Sequence, residues 1–190
     1  LLFSDQLITP SGEPFTRRFS DVLLVGSTSV IPKWLLEAQF RYNADTQRSE
    51  RSLLTARYSP GDFRTLAAAY RFTRGSEESV DIGWQWPIGR VGEAVAAGSQ
   101  GACSARWFTV GRVNYSVTDR RVTDAIAGFE LDSGCWIGRI VAEQLSTGQS
   151  QSTTRLMVQL ELVGLSRLGS NPLRALKENI PGYQLLREER

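Results

Sequence analysis

The chain contains no histidine. That removes the commonest general base and metal ligand, and with them most hydrolase triads and most zinc sites. No compact Ser/Asp constellation takes its place, so the expectation is a non-enzyme with no catalytic residue, no metal site and no cofactor. Cysteine is scarce: Cys103 and Cys135 are the two thiols, too far apart in sequence for a good metal site. No run approaches the roughly 18 apolar residues that a membrane-crossing helix needs, which excludes a helical membrane protein. Charge of either sign is not in excess, with 22 basic and 20 acidic residues, so nothing calls for nucleic acid as a partner. The first residues show no basic stretch followed by an apolar one, and Leu1 opens in mid-pattern. The expectation is a piece of a longer, processed protein.

What is present is alternation. Between Lys33 and Asp45, one set of positions carries Trp34, Leu36, Ala38, Phe40, Tyr42 and Ala44. The other carries Lys33, Glu37, Gln39, Arg41, Asn43 and Asp45, with Leu35 as the exception. A strand has a side-chain period of two, so the segment has one apolar and one wet face. The pattern recurs as about nine strands of near ten residues, the length of a tilted membrane-spanning strand. They are expected over 20–31, 33–44, 50–59, 63–74, 79–87, 106–117, 121–132, 135–145 and 153–163. The inward positions carry Glu37, Arg41, Arg71, Asp81, Arg112, Asp124, Glu130, Arg139, Glu143, Arg155 and Glu161. A soluble sandwich would bury so many charges only at heavy desolvation cost, whereas a water-filled lumen keeps them hydrated. A one-sided soluble sheet with its charged face in solvent also fits the alternation. Aromatics at strand ends, namely Trp34, Tyr42, Tyr58, Trp86, Trp107, Tyr115 and Trp136, favour the membrane, because interfacial girdles sit there.

The fold expected is all-β: an antiparallel up-and-down transmembrane β-barrel wall, an open curved sheet when isolated, with a short C-terminal helical tail. Residues 1–19 form a lead-in strand or loop, 20–163 the wall and 164–190 a periplasmic tail. Tight Pro/Gly turns at 31–33 and 58–63 mark the periplasmic side, because barrels keep short turns there and longer loops outside. The join 87–105 belongs on that side too, although its Gly- and Ala-rich stretch 91–102 is long for it; it reads as a tolerated insertion or as a tether for Cys103. Both thiols then face an oxidising compartment, and Cys103 and Cys135 are disulfide candidates, with each other or with cysteines elsewhere in the parent. In the tail, Asn171 is a helix cap, Pro172 the first helical residue and Pro181-Gly182 the stop, for a short helix packed under the barrel.

Three stretches carry a family resemblance. RLMVQLELVGLSRLGSNPLRALKENIPGYQ, with Gly164, Leu165, Ser166, Asn179, Ile180 and Tyr183, resembles the C-terminus of the LptD family of lipopolysaccharide-assembly outer-membrane proteins. RFSDVLLVGSTSVIPKW resembles the family's Ser-Asp-x-x-x-x-Gly strand, and GFELDSGCWIGRIVAEQ is similar to its cysteine-bearing hairpin. The family often has two adjacent cysteines on that hairpin, each paired with the N-terminal domain; Gly134 stands here where the first would be.

The resemblance implies the C-terminal part of a barrel of about 26 strands in the bacterial outer membrane. It implies transport and insertion of lipopolysaccharide into the outer leaflet. The implied partners are a plug lipoprotein inside the barrel, periplasmic bridge proteins acting through an N-terminal domain, lipopolysaccharide itself and outer-membrane lipid. The last strand, with Arg155, Leu156, Met157, Val158, Gln159, Leu160 and Glu161, would border the lateral seam. The lumen-facing charges Glu37, Arg41, Arg71, Asp81, Arg112, Arg139 and Glu143 keep the lumen wet, and Arg71, Arg139, Glu143 and Arg155 are candidates to meet sugar phosphates. A porin-like passive channel wall is the alternative reading.

Overall fold

Alternation gives each strand two unlike faces, and short polar turns let consecutive strands pair without a crossover. The computed structural model describes residues 21–44, 47–91, 105–146 and 151–187. Within them lie β1 (Val22–Thr28), β2 (Trp34–Asn43), β3 (Arg48–Gly61), β4 (Arg64–Thr73), β5 (Glu77–Val91), β6 (Ala105–Ser116), β7 (Arg121–Asp132), β8 (Trp136–Ser146), β9 (Ser152–Leu162) and β10 (Ser166–Gly169). One helix, α1 (Pro172–Asn179), follows. The strands form one open antiparallel sheet in sequential order, as an up-and-down wall requires.

The register fixes the faces. Leu36, Ala56, Ala68 and Ile82 face each other across β2 to β5, and Glu37, Thr55, Ala69 and Asp81 do so on the opposite side. On the first face Leu54, Leu66, Ile82, Phe129, Ile140 and Leu156 are between 41% and 68% exposed. A soluble monomer rarely shows so continuous an apolar surface. Trp34, Trp107 and Trp136 lie on this face near the starts of β2, β6 and β8, and Trp86 lies on it opposite Thr109 of β6, all toward the sheet end that carries the β3–β4 and β7–β8 turns. Trp34 meets Tyr58 with ring centroids 4.9 Å apart. Trp84 packs against Gly111 of the next strand, where a Cβ would collide with the indole, and its indole N–H donates to Thr109 Oγ1 at 3.3 Å.

The other face is where material is buried. Val110, Ile126, Val141 and Met157, from four consecutive strands, pack with Ala175, Leu176 and Ile180 of the tail. Phe108 and Ile137 pack with Leu186. The tail therefore lies against the polar face of the sheet, where the sequence placed it beneath the strands. The helix itself is as expected: the Asn171 side chain accepts from the Arg174 N–H, Pro172 opens it, and the Ile180 N–H closes it on the Leu176 carbonyl at 2.9 Å. The buried stripe of Leu173, Ala175 and Leu176 explains where it docks, since a helix this short is not stable alone.

Four points differ from the sequence reading, the first being that β1 ends at Thr28 rather than at residue 31. β3 continues through Pro60, where the register with β4 shifts between Tyr58 and Gly61, and β5 runs on past Pro87 to Val91, with Pro87 opposite Phe108 and beyond Gln85, the last β5 residue paired to β4. β10 is new. Four residues are too few to show a period, and Gly164 at φ +81° sits in the turn that folds them back on β9. The lead-in 1–19, most of the Gly/Ala-rich join and Cys103 lie outside the described residues.

Leu176 is fully buried, so Leu176→Ala removes the centre of the tail's apolar contact at a cost of about 2–5 kcal/mol. Limited proteolysis of the full-length protein in detergent should then cut the tail many-fold faster while the strands resist. Unchanged cleavage would show that the tail is held elsewhere.

Candidate functional site: the tail-covered polar face and the closing edge

The polar face carries charges that would be costly to bury alone, and the strands pair them. Arg112 on β6 points its Nε at both carboxylate oxygens of Asp81 on β5, at 2.9 and 2.8 Å. Its Nη1 reaches Asp124 of β7 at 3.1 Å and Asn179 of the helix at 3.0 Å. Arg139 on β8 donates to Glu130 at 2.9 Å and to Glu161 at 2.7 Å, with Arg139 2% and Glu130 0% exposed. Arg155 pairs with Glu143 across β8 and β9. Farther from the tail, Arg41 pairs with Asp21 at 2.6 Å and Arg71 lies 3.8 Å from Glu77. Glu37 faces the same way, opposite Thr55 and Ser27.

The last residues tie the tail across these strands. The backbone of Gln184 and the side chain of Gln85 exchange two hydrogen bonds, both 2.8 Å, as neighbouring strands would. The Gln184 side chain accepts from the Phe63 N–H at 2.6 Å, and Thr65 Oγ1 donates to the Gly182 carbonyl at 3.2 Å. The Tyr183 hydroxyl donates to Glu130 at 2.6 Å. Burial, and then the adjacent Glu130 carboxylate, push the Tyr183 phenol well above its ordinary pKa, so it stays a donor. At the far end Arg187 donates to the Gly134 carbonyl at 2.6 Å. The strap thus runs from the β3–β4 turn to the β7–β8 turn.

The seven charges named from sequence all lie on this face, but the tail divides them. Asp81, Arg112, Arg139 and Glu143 belong to the covered network, and Glu37, Arg41 and Arg71 lie outside it. Of the residues read as possible sugar contacts, Arg139 and Glu143 are buried, while the side chains of Arg71 and Arg155 are 39% and 58% exposed. Glu130 is the hub that the short list of lumen charges omitted. Gln184 carried no signal in the sequence, Gln85 only its polar phase, and Tyr183 only its place in the family resemblance. Among the described residues no group of His, Cys, Asp and Glu could hold a metal ion.

Arg155 to Glu161 all lie in β9, but β9 is not the outermost element along its whole length. β10 pairs with its last third, Ser166 opposite Leu162 and Gly169 opposite Gln159. Cys135 is exposed at the short-turn end, and its carbonyl accepts from the Val163 N–H at 3.1 Å.

Removing one partner from a buried ion pair leaves the other charge uncompensated, at about 3–5 kcal/mol. Arg139→Met in the full-length protein should lower the urea midpoint in micelles accordingly, and Glu130→Gln added to it should restore a substantial part. Simple additivity of the two losses would show that the pair is not coupled.

The family model LptD, LPS transport system D, matches residues 2–107. The LPS-assembly protein LptD of Albidiferax ferrireducens is 51% identical over 195 residues, covering 100% of this chain and 24% of its own length. The protein of the same name from Polaromonas sp. (strain JS666) is 47% identical, with 100% and 24% covered. That from Bordetella pertussis is 32% identical, with 97% and 24% covered. The chain spans about a quarter of the length of these curated relatives, 24% in each case.

Proposed function

Because the chain belongs to the LptD family of LPS-transport proteins, we propose that it is the C-terminal wall of an outer-membrane β-barrel that inserts lipopolysaccharide into the outer leaflet. One observation carries this beyond kinship: the sheet leaves its apolar face in the open and covers part of its charged face with its own tail. That arrangement is inverted for water and right for a bilayer outside and an aqueous lumen inside. The tryptophans gathered toward one end of the apolar face suit a lipid–water boundary.

In this reading the uncovered cations Arg41, Arg71 and Arg155 face the route of the anionic sugar chain, and β9 borders the lateral seam. The work is vectorial and noncovalent, so no catalytic group is required. The partners are lipopolysaccharide, a plug lipoprotein in the lumen, and periplasmic bridge proteins that dock on another part of the parent. The same proposal has Cys135 joined to Cys103, or to a cysteine elsewhere in the parent, on the oxidising side of the membrane.

Purifying the full-length protein from outer membranes in mild detergent should bring down a stoichiometric lipoprotein together with lipopolysaccharide, both identified by mass spectrometry. An intact barrel that carries neither and conducts ions in planar bilayers would replace this reading with a passive channel.

A further inference from the structure

A barrel has no edge only if its first and last strands pair, so what the last strand still offers decides how far the seam can close. On β9 that offer can be read atom by atom. The Val158 carbonyl accepts from the Ser170 N–H and from Ser170 Oγ, both at 3.0 Å, and the Val158 N–H donates to Ser170 Oγ at 2.8 Å. The backbone groups of Val158 therefore point away from β8. Antiparallel bonding alternates along a strand, so Ser152, Thr154, Leu156, Leu160 and Leu162 point theirs the same way. Leu160 is already opposite Leu168 and Leu162 opposite Ser166, and the Leu162 carbonyl takes the Leu165 N–H at 3.0 Å. The tail thus occupies Val158, Leu160 and Leu162, and among the described residues nothing pairs with the outward groups of Ser152, Thr154 and Leu156.

The short strand is held at both ends. Arg167 reaches Glu161 at 3.4 Å, and Glu161 is itself bound by the buried Arg139. After Gly169 the chain leaves the plane of the wall and enters the helix whose Leu176 is fully buried. Gly169 makes that exit possible: its φ is +103°, and a Cβ there would strike the Val158 carbonyl.

We infer that the C-terminal tail is a clasp on the barrel's closing edge, which confines direct pairing of β9 to Ser152, Thr154 and Leu156 and reserves the half beside the short turns for β10. The inference rests on the reading above that β9 borders the seam. The occupant of the free upper edge is a strand of the parent protein outside this quarter of its length, the first strand of the barrel. Below Val158 that strand meets no ladder from β9, so the seam is continuous only in its half away from the short turns.

A photo-reactive benzoylphenylalanine placed at Leu156 or at Leu160 of the full-length protein in cells tests this, with the linked peptides mapped by mass spectrometry. Position 156 should link to the first barrel strand, and position 160 to residues 166–170. In Gly169→Val the link from position 160 should move to the first strand. Linkage of both positions to the first strand in the unmodified tail would overturn the clasp while the seam stands. Absence of any link from position 156 to that strand would overturn the seam reading itself, and the clasp with it. Should Gly169→Val fail to accumulate, the comparison of positions 156 and 160 decides alone.

Discussion

The structure depends on an unbroken backbone ladder. Each strand from β1 to β10 is paired to the next, and in a hydrocarbon medium an unpaired N–H or C=O has no water to turn to. Everything else is arranged around keeping that ladder whole. Pro60 sits where the register of β3 on β4 slips, and Pro87 lies beyond the last residue that β5 pairs with β4, so neither missing donor interrupts regular pairing. Trp84 covers Gly111, a packing that fills the gap left by a residue without a side chain. With the ladder secured, the two faces are free to take opposite characters, and the outer strands keep an open edge.

The tail's hold on the sheet is a matter of magnitudes. Fully burying a side chain such as Leu176 or Ile180 contributes about 1.5–3 kcal/mol, and several such residues sit between the tail and the four last full-length strands. The Glu130–Arg139–Glu161 group adds little net stability, because desolvating three charges offsets most of their attraction. Its contribution is positional. Tyr183 donates to a carboxylate that Arg139 already fixes, and Arg167 engages a carboxylate that the same arginine holds. Apolar contact keeps the tail down, and the ion network settles where it lies.

Much of this was legible in the residues. Period-two alternation located nine strands closely, because one face of each had to be apolar from end to end. The tail's place was not legible, for a reason internal to the same pattern. Phe108, Val110, Ile126, Ile137, Val141 and Met157 stand at polar-phase positions of β6 to β9. Within a single strand each looks like noise in the alternation. Only the register, which sets Val110 opposite Gly128 and Val141 opposite Met157, gathers them into one patch. β10 escaped because four residues cannot display a period. The charges of the polar face were readable as a set, but the burial of Arg139 and Glu143 follows from the tail and so could not be read with them.

The clasp also resolves a tension in β9. A seam that must part needs few hydrogen bonds, yet β9 carries neither proline nor glycine from Ser152 to Leu162. Placing either within it would weaken the seam, but it would equally damage the ladder to β8, which runs from Trp136 opposite Leu162 to Ser146 opposite Ser152 and carries the Arg155–Glu143 and Arg139–Glu161 pairs. Occupying the outer edge avoids that conflict. The groups that β9 directs toward β8 are untouched, while half of those it directs toward the seam are satisfied by its own chain. A strand can then be fully formed on one side and sparingly available on the other, which intrinsic propensity alone cannot achieve, since it acts on both sides at once.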